Sequence, residues 1–158
     1  MNKRWARIFL AAMTVLCLWG AWMTPFYLPL PKEDVQFFDF TVEYVDYTGW
    51  YECSLKNTPQ ADALTELLRE TELRRISRRT AFGGLFDTDD YYYNIDFVVE
   101  NRDWHGMHFC IYIGRRNGRS YGEGQFINAR IDQTFRVPDP NLLLDFLEQF
   151  PFEKEEPI

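Results

Sequence analysis

Tyr91-Tyr92-Tyr93-Asn94-Ile95-Asp96-Phe97-Val98-Val99-Glu100 is the clearest strand signal in the chain. Tyr91, Tyr93, Ile95, Phe97 and Val99 fall on one face, at the period of two that marks a half-buried strand. The residues between them include Asn94 and Asp96, so the second face is polar. A turn at 101–106 leads into Met107–Ile113, where Phe109, Ile111 and Ile113 repeat the pattern. Two such runs joined by a short connection predict an antiparallel hairpin, and that hairpin sets the fold class.

The chain extends this sheet in both directions. Asn117-Gly118 follows the hairpin, and Asn-Gly readily takes the positive φ angles of a tight type I′ turn. The glycine-containing stretch 120–124 reads as an irregular strand. Phe126–Ala129 and Thr134–Val137 read as a short hairpin around Arg130–Gln133. Upstream, residues 35–47 and 50–56 alternate in the same way around the turn signal Asp46-Tyr47-Thr48-Gly49. Residues 73–82, LRRISRRTAF, read as a strand near a sheet edge, where charge is common.

Two helices complete the pattern. Thr58 caps the first and Pro59 suits its opening position. Ala61, Leu64, Leu67 and Leu68 form its apolar stripe, and the helix fades near Leu73. Asp139-Pro140 repeats the device, and Leu143, Phe146, Leu147 and Phe150 form the second stripe. The expectation is an α+β fold, an antiparallel sheet with two helices packed on one face. Leu68 and Phe146 are the expected core residues of the two helices.

Ahead of this domain lies a segment of another kind. Lys3, Arg4 and Arg7 come first, and no charged residue follows until after Pro31. A helix rises ~1.5 Å per residue, so a membrane span needs about 20 residues. Residues 5–24 just reach that length. Basic residues before the span and none just after it place the N-terminus in the cytoplasm and the domain outside. A cleaved, secreted form is the alternative. It needs small residues at the cleavage site: a cut after Ala21 puts Trp19 at the −3 position, which is poor, and a cut after Gly20 puts Leu18 there, which is tolerable. Leu16 before Cys17 departs from a lipidation signal. The chain therefore divides into a signal anchor at 1–24, a proline-rich linker at 25–34, an extracytoplasmic domain at 35–150 and a disordered tail at 151–158.

The chain has 158 residues, with 17 basic and 24 acidic side chains. Three of the basic residues precede Pro31, leaving 14 against 24 beyond it, a net −10. That balance argues against nucleic acid and an anionic lipid surface as general partners. Cys53 sits with Tyr51 and Leu55 on the expected core side. Cys110 sits with His108 and Tyr112 on the other side, so both thiols are expected free.

The ordered series of strand pair, leucine helix, tyrosine-rich strand, Gly-turned hairpin and final short helix resembles a class of proteins. It is carried by Tyr91–Phe97, the Met107–Ile113 return, 126–137 and the helix around Leu142–Phe146. These are the small exported domains, often lipoproteins, of Gram-positive bacteria, whose function is unassigned. The resemblance implies location and fold and brings no catalytic residues.

Two residue groups carry candidate chemistry. Asp103, His105, His108 and Cys110 offer carboxylate, imidazole and thiolate, the ligand types of transition metals. Arg74, Arg75, Arg78 and Arg79 offer guanidinium groups that grip phosphate or another anion. The acidic loop at 87–90 lacks the glycine and closing glutamate of an EF-hand. Ser54, Ser77 and Ser120 lack a GxSxG context. No cofactor motif is present. The sequence therefore reads as a non-catalytic binding module at the cell envelope, with an unknown protein or envelope partner. Its alternative is a protein or enzyme that handles a metal or anionic ligand.

Overall fold

The computed structural model describes residues 3–28, 30, 36–46, 48–55, 58–76, 89–100, 106–128, 132–150 and 152. Helix α1 (Lys3–Met23) precedes strands β1 (Phe26–Tyr27), β2 (Gln36–Asp46) and β3 (Gly49–Ser54). Helix α2 (Pro59–Glu70) and strand β4 (Glu72–Arg75) follow. Then come β5 (Asp89–Glu100), β6 (Met107–Arg116), β7 (Arg119–Ile127), β8 (Asp132–Arg136) and helix α3 (Asn141–Leu147). The class is mixed α+β, with one eight-stranded sheet in the order β1-β4-β8-β7-β6-β5-β2-β3. Every pairing is antiparallel.

The register follows from the alternation. Ile95 lies opposite Val42 and Ile111, and Phe97 lies opposite Phe40 and Phe109. One face thereby becomes a continuous apolar surface. Phe97 and Phe109 stack with ring centres 4.7 Å apart, and Phe40 lies 5.2 Å from Phe97. All of these are fully buried. At one end of this face Tyr44, Tyr51, Tyr91 and Tyr93 cluster, with centroids 5.1–6.0 Å apart.

The turns form for local reasons. Asn117 and Gly118 have φ of 52° and 71°, and join β6 to β7 as the Asn-Gly pair requires. Between β2 and β3, Asp46 Oδ1 accepts from the Thr48 hydroxyl (2.5 Å), the Thr48 N–H (2.7 Å) and the Gly49 N–H (3.1 Å). The Thr48 hydroxyl does most to hold the Asp46 carboxyl below its ordinary pKa. At α2, the Thr58 hydroxyl oxygen accepts from the Ala61 N–H at 3.2 Å and donates to the Leu55 carbonyl at 2.7 Å.

Several boundaries differ from the sequence reading. Strand β7 runs unbroken through 119–127, although 120–124 reads as irregular. A Cβ on Gly122 would lie 2.7 Å from Val137 Cβ, and one on Gly124 would lie 2.6 Å from Phe135 Cζ. The glycines are thus places where large side chains of the neighbouring segment cross the strand. Helix α2 stops at Glu70, because Leu73 leaves it and is buried as a residue of β4. Helix α3 buries Leu143, Leu144 and Leu147, whereas Phe146 is only half-buried. Phe152, in the segment that reads as a disordered tail, packs 5.7 Å from Tyr44 and 5.6 Å from Tyr93.

The largest difference is at the segment that reads as a proline-rich linker. Phe26 and Tyr27 pair with Leu73 and Glu72 as the edge strand β1. Leu28 and Leu30 are buried in the core. Arg69 Nε donates to the Leu30 carbonyl at 3.1 Å. The prolines favour an extended chain, and the sheet uses that extension as a strand. Only two residues, Thr24 and Pro25, separate α1 from the sheet.

Candidate functional site

The sheet's second face is polar, as the residues between the core positions of β5 require. Two cross-strand rows run over it. One is Glu52, Glu43, Asn94, Tyr112, Glu123, Arg136 and Arg74, from β3 to β4. The next is Ser54, Thr41, Asp96, Cys110, Gln125 and Thr134.

Where the rows meet, the side chains bond to one another. Asn94 Nδ2 donates to Glu43 Oε2 at 2.7 Å. The Cys110 thiol donates to Asn94 Oδ1 at 3.3 Å. His108 Nε2 lies 2.9 Å from both oxygens of Asp96, on the adjacent strand. Asn94 and Cys110 are 9 % and 7 % exposed, so the Cys110–Asn94 bond is buried, whereas the His108–Asp96 contact is exposed. Burial pushes the Cys110 thiol up to about 11, and raises the Tyr112 phenol beside it. The thiol is therefore neutral at physiological pH and a poor nucleophile or metal ligand. At the row's far end Arg136 Nη2 meets Glu123 Oε1 at 3.2 Å.

The metal-type quartet is placed only in part. His108 and Cys110 share this face two residues apart, as strand alternation dictates. Each has a protein partner there. Asp103 and His105 lie outside the described residues. Among the described residues no group of three or more His, Cys, Asp or Glu side chains converges as a metal cage.

The arginines do not form one patch. Arg74 lies opposite Arg136 on the polar face and pairs with Glu72 at 3.2 Å. Arg75 lies opposite Phe135, and its guanidinium sits 4.7 Å from the centre of the Phe26 ring. Adjacent strand residues point to opposite faces, so a basic run divides its charge between them. Arg78 and Arg79 lie outside the described residues.

Two further features were not singled out from the sequence. A groove of about 360 Å³ lies between α2 and α3, lined by Leu67, Glu70, Leu142, Asp145 and Phe146. At the tyrosine end, the Tyr91 hydroxyl donates to Glu148, which also meets Arg115 Nη2 at 3.6 Å. Burial and that bond push Tyr91 up to about 12. The signal for this pairing lay 57 residues away, beyond any local pattern.

Helix α1 offers the other site. Its residues Arg4–Met23 form one helix long and apolar enough to cross a membrane, and none of that stretch is buried by the domain. A signal sequence passes the same test of length and composition. The cysteines are free: Cys17 is exposed on α1, Cys53 half-buried toward the core and Cys110 buried on the opposite side of the sheet. No family model matches the chain, and neither does any curated protein or solved structure compared with it.

Proposed function

We propose that the chain is a membrane-anchored extracytoplasmic binding module without catalysis, of the kind it resembles among small exported domains of Gram-positive bacteria. The observation that carries this reading is the contrast between α1 and the rest. Trp5, Phe9, Leu10, Leu16, Leu18 and Trp19 are all at least 57 % exposed on α1, while the domain's own core is closed without them. An all-apolar helix with no protein cover is at home in lipid. Arg4 and Arg7 at its start favour the cytoplasm for that end. The immediate start of β1 after α1 would hold the domain at the membrane surface.

The domain's layering supports the same reading. We infer that α2 and α3 cover one face of the sheet, because Leu64, Leu68, Leu143, Leu144 and Leu147 join the same buried cluster as Phe40, Ile95 and Phe109. The polar face is then left for a partner. The neutral Cys110 thiol and the carboxylate-bound imidazole of His108 favour recognition over nucleophilic chemistry.

Protease added to intact cells tests the topology: residues beyond 32 should be digested while 1–24 stay with the membrane. Protection of the domain in unpermeabilised cells refutes it, and release of the domain into the medium favours the cleaved form. The full chain, immobilised in detergent, should also retain a partner from solubilised envelopes.

A further inference from the structure

Strand β3 ends the sheet, and among the described residues it has a neighbour on one side only. The direction of its free backbone can be worked out. The Leu55 N–H donates inward to the Phe40 carbonyl at 2.7 Å. Backbone groups of alternate residues in an antiparallel strand point the same way. Those of Cys53 and Tyr51 therefore also turn toward β2. Those of Trp50, Glu52 and Ser54 turn outward, away from the sheet. Proteins usually guard such an edge with lysine, proline, a bulge or a very short strand. The opposite edge, β1, is two residues long. Strand β3 is six residues long, without lysine, proline or a bulge, and Glu52 is its one charge, so it repels an acidic strand and admits a basic one.

Its side chains sharpen the picture. Trp50, Glu52 and Ser54 are all exposed, and with Tyr51 they line a shallow depression along the edge. Trp50 lies opposite Val45 and Glu52 opposite Glu43, so both belong to the polar face. The outward turn of Glu52 makes Glu43–Glu52 a non-hydrogen-bonded pair, the closer of the two cross-strand spacings. Like charges directly opposite in a sheet repel. Glu43 has the Asn94 amide as its partner. Glu52 stands at the rim, where a cation on the next strand would be its cross-strand neighbour.

We propose that the outer edge of β3 takes an extended, basic segment of a partner protein as a ninth strand. Main-chain bonds from Trp50, Glu52 and Ser54 supply the attachment, and Glu52 selects a lysine or arginine beside it. The exposed Trp50 indole covers an apolar side chain of the incoming segment. A second copy of this chain is the poorer occupant. Two-fold pairing of β3 with itself would bring a second acidic strand to Glu52 and Glu43, and two domains of net −10 repel. This inference rests on the binding-module reading and names the class of partner.

The test is hydrogen exchange on the full chain in detergent micelles. Two blocked peptides serve as probes, one alternating valine and lysine, the other alternating valine and glutamate. The valine–lysine peptide should slow exchange at the Trp50, Glu52 and Ser54 amides and leave Tyr51 and Cys53 unchanged. The valine–glutamate peptide should bind more weakly by about ten-fold. Glu52→Lys should reverse that preference. Equal affinity for both peptides overturns the charge selection. Protection elsewhere, such as the α2–α3 groove, overturns the site. Slow exchange at the three amides without peptide, together with a dimeric mass, assigns the edge to a second copy. An envelope partner retained while the three amides exchange freely sinks the edge proposal and leaves the binding-module reading standing.

Discussion

The side-chain amide of Asn94 donates to Glu43 across the β2–β5 pair at 2.7 Å, on a residue only 9 % exposed. Replacing that amide with a carboxylate keeps the shape and reverses the chemistry. Asn94→Asp would set a second anion against Glu43 and beside the Cys110 thiol. Like charges that close raise one of the carboxyl pKa values. A pKa raised in the folded state means stability present at low pH and lost as pH climbs through the folded value. Asn94→Asp should therefore cost about 1–3 kcal/mol at neutral pH and recover much of it near pH 4–5. Thermal unfolding of the full chain at both pH values checks this. A loss that is the same at both would mean that the hydrogen bond alone mattered.

Cys110 gives a second pH signature. Burial raises its folded pKa to about 11, above the ordinary thiol value. The unfolded chain thus releases this proton first, and stability falls as pH rises between about 9 and 11. Cys110→Ala should flatten that part of the profile. Tyr44 and Tyr91, each pushed up to about 12, continue the loss at higher pH. Alkylation near pH 8 should modify Cys53 well before Cys110, and unfolding should erase the difference. Mass spectrometry of partly alkylated protein reads the order, and faster labelling of Cys110 would contradict its burial.

Leu28 distinguishes a linker from a strand extension. It is 2 % exposed and belongs to the main core cluster. Leu28→Ala should lower stability by about 2–4 kcal/mol, as for other buried leucines. Phe26→Ala should cost less, about 1–3 kcal/mol, because that ring is partly exposed and loses its edge contacts with Phe126, Phe135 and Arg75. Tyr27→Ala, at a neighbouring residue 56 % exposed, serves as the control. If all three variants melt together with the parent, residues 26–30 do not belong to the fold.

Strands β2, β3, β5 and β6 and helix α2 were legible because period and capping are local. Helix α3 was legible from its stripe alone, since its N-cap is Pro140, with no side-chain cap bond, and not Asp139. Phe40, Ile95, Phe97, Phe109 and Ile111 alternate strictly, and every one is buried. The opposed placement of Cys53 and Cys110 followed from the same parity. What escaped was set by contacts distant in sequence. Leu28 and Leu30 read as linker because their cover comes from elements dozens of residues later. Phe146 fits the apolar stripe of a helix, yet it lies at the side of α3 facing the groove, and Leu144 takes the core position. The arginine run looked like a patch because sequence neighbours look adjacent, whereas a strand sends Arg74 and Arg75 to opposite faces. The bonds Asn94–Glu43 and His108–Asp96 depend on register between strands, which no single segment displays.

Gly124 is where that register meets close packing. It sits on the core face of β7, opposite Ile111 on one side and Phe135 on the other. A methyl group there would lie 2.6–2.7 Å from the Phe135 ring and 2.8 Å from the Cys110 carbonyl oxygen. The ring is fully buried and the carbonyl is backbone, so neither yields cheaply. Alanine ordinarily suits a strand no worse than glycine, since it restricts the unfolded chain. Here overpacking outweighs that gain, and Gly124→Ala should cost about 1–3 kcal/mol. Gly118→Ala is a separate case, since its cost comes from a positive φ with open space around it. The two are told apart by a second change. Phe135→Leu, which removes the ring's far edge, should offset part of the Gly124→Ala loss and none of the Gly118→Ala loss. A double-mutant cycle on thermal stability measures the coupling. Strict additivity between Gly124→Ala and Phe135→Leu would show that the glycine is required for the backbone alone and not for the ring that crosses it.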